Sequence, residues 1–407
     1  MKKIEKSDKL MQIRSDIRGP VYEKSLEMIA AGIKITRLNT GNPATFGFGM
    51  PQSIREALTG GMDRAVAYCD ARGMADARIA IRDYHLSRGI QGITENDIFI
   101  GNGVSELATM IATSVLSAGD EFLVPCPNYS LWTNAAHLAM AKPVSYMCDE
   151  QSCWIPDVAD MEKKVTDRTK AVLIINPNNP TGQVYPPEAV KEIVEFARRH
   201  ELLIISDEIY DRLIFENAPM ESTAKLAPDM PVITLNGLSK SHIICGFRCG
   251  WAVVSGPREL TEDIRESIGK LAAMRLCGNA LTQLVIPAAL KDAQSTIDMI
   301  SPGGRLYEQR KAGIEELDKL SEEGLIQYNK PMAAFYVFPK VSDKICIKDD
   351  IKMAFDLLEQ KHILIVGGTG FGWPTADHFR LILLPEPDEL RKAVRDIGDF
   401  LRGYSQK

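Results

Sequence analysis

The chain has 407 residues, too many for one ordinary core and suited to about two or three domains. Its 48 Lys and Arg against 54 Asp and Glu give a net charge of -6 with both signs spread along the sequence, so no basic stripe invites nucleic acid or an anionic membrane. Lysines stand near the N-terminus without an apolar segment behind them, and no apolar run is long enough to span a bilayer, so a soluble, cytoplasmic protein is expected. The cysteines, Cys69, Cys126, Cys148, Cys153, Cys245, Cys249, Cys277 and Cys346, form no Cys-x-x-Cys pair and have no histidine at zinc spacing. They are expected to be reduced and mostly buried, with no metal site.

In chain order, Asp16-Ile17-Arg18-Gly19-Pro20 leads into a helical pattern through Val21, Leu26, Ile29 and Ala30, with Gly32 as its stop. A short strand is expected at 35–38, then Thr40-Gly41-Asn42-Pro43, a turn by composition. Gly41 either serves the turn alone or brings its amide close to a ligand. Beyond Pro51, apolar runs of buried-strand length at 97–100, 121–124, 171–175, 202–206 and 232–235 alternate with helical patterns. The clearest helix covers 187–199, with Pro187 at its start, Val190, Ile193, Val194 and Ala197 on one stripe, and two arginines at its end. Such alternation predicts an α/β fold with a doubly wound, mostly parallel sheet, in which ligands sit outside the carboxyl ends of the strands.

The residues that follow each strand are therefore the ones that can carry chemistry. After the first run, Gly101-Asn102-Gly103-Val104-Ser105-Glu106 opens a helix whose N-terminus suits a phosphate, although Ser105 could simply cap it. After the second stand Tyr129 and Trp132, either core aromatics or a ring that stacks on a planar ligand. After the third, Asn176-Pro177-Asn178-Asn179-Pro180-Thr181-Gly182 is a tight turn from which Asn179 can point its amide at a ligand oxygen. After the fourth, Asp207 and Tyr210 follow, and a carboxylate there asks for a cationic partner, a protonated pyridine nitrogen or a basic side chain. After the fifth comes Lys240, with Arg248 eight residues on. Partial burial and that cation would favour the free amine, the form that condenses with an aldehyde, and Arg248 could grip a phosphate.

A helical region is expected over 258–292, and the C-terminal part begins near Pro302 with a long helix at 305–320. Strands follow at 334–338, 363–366 and 379–384, before a last helix opened by Asp388, so this part reads as a smaller α+β domain. Arg380 lies inside its apolar strand, where a guanidinium needs a carboxylate from the protein or from a substrate.

Taken together, Lys240, Arg248, Asn-Pro-Thr-Gly at 179–182, Asp-x-x-Tyr at 207–210, Tyr129 and Arg380, in this order and spacing, resemble the fold-type I pyridoxal phosphate aminotransferases over nearly the whole chain. Residues 16–21, 41–43, 101–107, 176–182, 236–240 and 301–310 look closer still to the bacterial glutamate-pyruvate (alanine) aminotransferases. The resemblance implies a large pyridoxal-binding domain over 51–300 and a small α+β domain assembled from 1–50 and 301–407. It implies that Lys240 holds pyridoxal 5′-phosphate as a Schiff base and later moves the substrate proton. Asp207 would pair with the ring nitrogen, Asn179 and Tyr210 with the ring oxygen, and Tyr129 would stack on the ring. Val104, Ser105 and Arg248 would bind phosphate, joined by Tyr68 from the second subunit of a homodimer. Arg380, Gly41 and Asn179 would hold the substrate carboxylate, with Arg18 and Ser15 near its side chain. The implied reaction is a ping-pong exchange of an amino group between alanine, or a similar amino acid, and a 2-oxo acid such as 2-oxoglutarate or pyruvate.

Four positions depart from the closer group: Ser15 replaces an aromatic, His242 and Ile243 stand where Tyr-Arg is usual, and Ala333 replaces a glycine. They bear on which amino acid is used. Two other readings share the constellation: a related pyridoxal phosphate enzyme performing β-elimination, decarboxylation or oxidation, and a pyridoxal-binding regulator. The latter would need a DNA-binding module that residues 1–50 do not contain.

Overall fold

The computed structural model describes residues 3–406. A helix at Pro20–Ala30 is followed by a short strand, β1 (Thr36–Arg37), and then by an eight-stranded sheet. Its strands are β2 (Ile98–Gly101), β3 (Glu121–Cys126), β4 (Lys142–Asp149), β5 (Ile155–Pro156), β6 (Thr169–Ile175), β7 (Leu203–Asp207), β8 (Val232–Gly237) and β9 (Gly250–Ser255), in the spatial order β2-β9-β8-β7-β6-β3-β4-β5. The pairs β4/β3, β3/β6, β6/β7 and β7/β8 are parallel, while β9 runs antiparallel between β8 and β2. Pattern alone does not single out β9, because it follows directly on the glycines of the 246–250 stretch.

The pleat explains why the parallel strands read as continuous apolar runs. Val172 and Ile174 of β6 pack on one side with Val190, Ile193 and Val194 of the Pro187–Arg199 helix. Ala171, Leu173 and Ile175 pack on the other with Leu107, Ile111 and Trp132. Both faces are covered, so no polar alternation is needed. Each fully buried Val or Ile of that helix contributes about 2 kcal/mol by the area it removes from water.

The 258–292 region is not one helix. Arg258–Met274 ends before Leu276, which takes a left-handed φ of 72°, and two short helices, Ala280–Gln283 and Ile286–Lys291, follow. The break lets Arg275 reach Glu106 and the Ile100 carbonyl, and lets the Asn279 amide donate to Asn102 Oδ1 at 2.9 Å.

The remaining strands are short: β10 (Ile326–Gln327), β11 (Tyr336–Val337), β12 (Lys340–Val341), β13 (Ile363–Leu364), β14 (Val366–Gly367) and β15 (Phe379–Ile382). β15 lies between β11 and β14, and β1 pairs in parallel with β13, which ties the N-terminal segment to the C-terminal one. The Arg305–Glu322 and Pro387–Gly403 helices cover them through Leu306, Leu317, Leu320, Leu390, Val394, Ile397 and Leu401. All eight cysteines are free, but only Cys126, Cys148 and Cys249 are buried, fewer than expected. Among the described residues no helix is long and apolar enough to cross a membrane.

Candidate active site

The carboxyl ends of β3, β6, β7 and β8 converge on one edge of the sheet, as parallel pairing requires. Asp207, the last residue of β7, is buried there, 5% exposed. Its Oδ2 accepts from the Trp132 indole at 2.9 Å and its Oδ1 from the Ile209 amide at 3.3 Å. No Arg or Lys forms a salt bridge with it among the described residues, so the protein-ion-pair reading of Asp207 falls. Burial pushes its pKa up to about 6, against the Trp132 and Ile209 hydrogen bonds and the charge of Lys240.

Lys240 follows β8 directly on the one-turn helix Leu238–Ser241, and its Nζ donates to the Gly41 carbonyl at 2.9 Å. The expected depression of its pKa by burial and Arg248 does not occur. Burial does lower it, but the electrostatic interactions with Tyr336, Cys245 and Tyr129 together outweigh burial, and the net direction is upward. The cation that opposes the rise is Arg380 rather than Arg248.

Arg248 instead lies against the Gly101–Gly103 turn. Its own left-handed backbone, φ 57°, turns it back, and its Nη1 donates to the Cys245 carbonyl at 3.0 Å. A Cβ on Gly103 would collide with the guanidinium, and one on Gly250 would come within 2.7 Å of the Val104 amide. Gly103 is the N-cap of the Val104–Val115 helix and no side chain caps it, so Ser105 does not cap; it sits exposed in the first turn. Uncapped amides, a guanidinium and space that only glycine leaves open make an anion cradle. Tyr68 is 80% exposed.

Arg380, on β15, is 1% exposed. Its Nη1 donates to Asn179 Oδ1 at 2.9 Å and its Nη2 to the Asn39 carbonyl. Its guanidinium lies 4.6 Å from the ring centres of both Tyr336 and Phe371. It has no salt bridge among the described residues, and its Nε has no partner. A buried guanidinium held by neutral groups, with one donor unused, can receive an external carboxylate. Gly41 closes the same corner, because a Cβ there would strike the Tyr336 hydroxyl. Tyr210 Oη is 2.9 Å from Tyr336 Oη, and both phenols are buried.

Two of the expected substrate residues are not drawn in. Ser15 and Arg18 are exposed and bonded to each other through a backbone contact of 3.1 Å. Their segment meets the site through Ile17, whose carbonyl accepts from the Asn39 side chain at 3.4 Å.

Residues 33–397 match the family of aminotransferases of class I and II. The chain belongs to that family. It is 46% identical to the glutamate-pyruvate aminotransferase AlaA of Escherichia coli over the whole of both chains. It is also 43% identical to the alanine aminotransferase of Mycobacterium tuberculosis, covering 98% of this chain and 93% of that one. A crystal structure of an aminotransferase from Escherichia coli superposes with a TM-score of 0.97 at 45% identity, covering all of both chains.

Class I and II aminotransferases work with pyridoxal 5′-phosphate. The residues of this site fit that group on three independent counts: a buried carboxylate without a cation for a pyridinium, a glycine-lined cradle for a phosphate, and a lysine between them in sequence for an aldehyde. The sequence offers Trp132 only as a core or ring-stacking aromatic, and it gives Tyr336 no place in the site. Trp132 carries a signal, its position three residues after Tyr129 behind β3. Tyr336 carries none, since its contacts come from β15 and from the residues after β7, far away in sequence. Of the departures, Ala333 packs behind the 176–182 turn, its amide donating to the Gly182 carbonyl at 2.8 Å. His242 faces Ser241 Oγ at 2.8 Å and is held near pKa 4 by burial, so it is neutral.

Proposed function

We propose that this aminotransferase exchanges an amino group between L-alanine and a 2-oxo acid, with 2-oxoglutarate and pyruvate as acceptors in the two directions. The observation that carries the amino-acid reading is the buried, carboxylate-free Arg380, and the full-length similarity to glutamate-pyruvate and alanine aminotransferases supports the choice of alanine.

Pyridoxal 5′-phosphate, when bound, supplies an electron-withdrawing ring that takes up negative charge from the substrate Cα. Asp207 holds the ring nitrogen protonated, and Trp132 keeps its carboxylate oriented. Val104, Ser105 and Arg248 bind the phosphate, with Tyr68 of a second copy completing the cradle. Tyr129 packs on the ring, while Tyr210 and Asn179 hydrogen-bond its oxygen. Lys240 Nζ would hold the group through its aldehyde carbon, and as a free amine it would move the proton at the substrate Cα. Arg380, Asn179 and the Gly41 amide fix the α-carboxylate, which orients the Cα–H bond toward Lys240. Arg18 and Ser15 stand on the side where the substrate side chain would extend.

The homodimer belongs to the same reading. Met62, Val66, Tyr68 and Met274 are 53%, 86%, 80% and 79% exposed, an apolar group that suits a second copy of this chain. We also place the protein in the cytoplasm, and take 51–300 as the unit that carries the cofactor with 1–50 and 301–407 as the unit that carries Arg380. Sedimentation would give the oligomeric state, and cell fractionation the location.

The experiment that tests the reaction mixes the yellow, cofactor-loaded protein with L-alanine and follows its visible band. Bleaching by alanine, reversed by 2-oxoglutarate, is expected. Bleaching only by another amino acid would move the substrate. Release of ammonia or carbon dioxide without amine transfer would replace the proposal with the lyase or decarboxylase reading.

A further inference from the structure

Tyr336 has no assigned part in the reaction, yet its hydroxyl lies at the centre of the site. It is 2.9 Å from the Tyr210 hydroxyl, it fills the space a Cβ on Gly41 would need, and its ring faces the Arg380 guanidinium at 4.6 Å. Two phenols in contact place one proton between them, and the other proton is free to point elsewhere. Around Tyr336 stand the backbone of Gly41, whose carbonyl accepts from Lys240 Nζ, and Arg380. With the Tyr336 proton on the Tyr210 oxygen, the Tyr210 proton is left to point into the site. Burial keeps Tyr210 protonated by raising its pKa well above the ordinary phenol value, so it retains that proton to give.

We propose that Tyr336 is a positioning residue: its hydroxyl donates to Tyr210 and so aims and strengthens the Tyr210 proton as the donor to the ring oxygen of bound pyridoxal 5′-phosphate. The inference rests on the reading of Tyr210 given above. It also joins two parts of the chain, because Tyr210 follows β7 of the large sheet while Tyr336 lies on β11 beside Arg380. A donor that polarises a second donor strengthens it by a fraction of its worth.

The test is the pH titration of the visible band of the loaded protein in four forms: unchanged, Tyr210→Phe, Tyr336→Phe and the double variant. The other groups facing the pair, Asp207, Tyr129, Lys240, Cys245 and Arg380, are the same in all four. A hydrogen bond to the ring oxygen stabilises its anionic form and lowers the pH at which the linked nitrogen loses its proton. Tyr210→Phe is expected to raise the midpoint by about 1 to 2 pH units, Tyr336→Phe by about half a unit, and the double variant no further than Tyr210→Phe alone. Tyr336→Phe keeps the ring on Arg380 and against Gly41, so a change in folding does not explain a shift. A shift with Tyr210→Phe but none with Tyr336→Phe, or additive shifts in the double variant, would overturn the role of Tyr336 while leaving Tyr210 in place. An unmoved midpoint in Tyr210→Phe would overturn the reading of Tyr210 and this inference with it.

Discussion

The inner wall of the site and its rim are built differently. Asp207, Asn179, Tyr210, Tyr336 and Arg380 are buried and bonded to one another or to Trp132 and Asn39, all within one chain. Ser105, Arg248, Tyr68, Ser15 and Arg18 are exposed and take few or no side-chain bonds. The wall is preorganised, so its geometry is set at folding, whereas the exposed rim has few contacts of its own to fix it. Changes in the wall should therefore damage chemistry, and changes in the rim should damage affinity.

The severest test of this contrast is Lys240→Ala, expected to remove the visible band of the loaded protein and to lower turnover by at least about 10⁵-fold, read by absorbance and by alanine-dependent pyruvate formation. Retained turnover would refute the assignment. Next, Arg380→Ala is expected to weaken amino-acid substrates by about 10²-fold or more while the visible band stays intact. An unchanged apparent affinity would count against a carboxylate clamp.

Titration probes the wall at a third point. In the cofactor-free protein Asp207 has a pKa raised to about 6, so its charged form, the one that can pair with a pyridinium, is lost as pH falls through that value. Cofactor affinity should fall in the same direction. Trp132→Phe removes a hydrogen bond to the charged form and should move the midpoint upward by about 1 unit, measured by fluorescence titration with pyridoxal 5′-phosphate. A midpoint that stays put would mean that Trp132 only packs.

Smaller effects belong to the rim. Arg248→Ala should weaken cofactor binding by about 10-fold, with turnover at saturating cofactor near the starting value. Ser15→Ala should change the apparent affinity for alanine by less than about 2-fold, as expected for an exposed position. A large change at Ser15 would show that the 15–18 segment moves onto the substrate.

Much of the large sheet and its edge is legible in the order of residues. The 187–199 helix has the bounds the spacing predicts, because a proline start and a 3.6-residue stripe are both local signals. Lys240, Asp207 and Asn179 stand at strand ends because a parallel sheet gathers its carboxyl ends on one edge whatever its loops do. β9 and the break after Met274 are not legible, since one is set by its partners β2 and β8 and the other by Arg275 and Asn279 docking on the Gly101–Gly103 turn.

Asp207 and Glu208 mark the division most plainly. That adjacent carboxylates end an apolar strand, and that a lysine follows the next strand, is written in the chain. That Asp207 faces Trp132 at the sheet edge, while Glu208 turns to Ser206, Ser222 and the Thr223 amide, comes from packing between distant elements. The same holds for Lys240 and Arg380. Their types and order are properties of the sequence, but the raised pKa of one and the missing carboxylate of the other arise from groups far away along the chain, because electrostatics in a buried site follows distance in space.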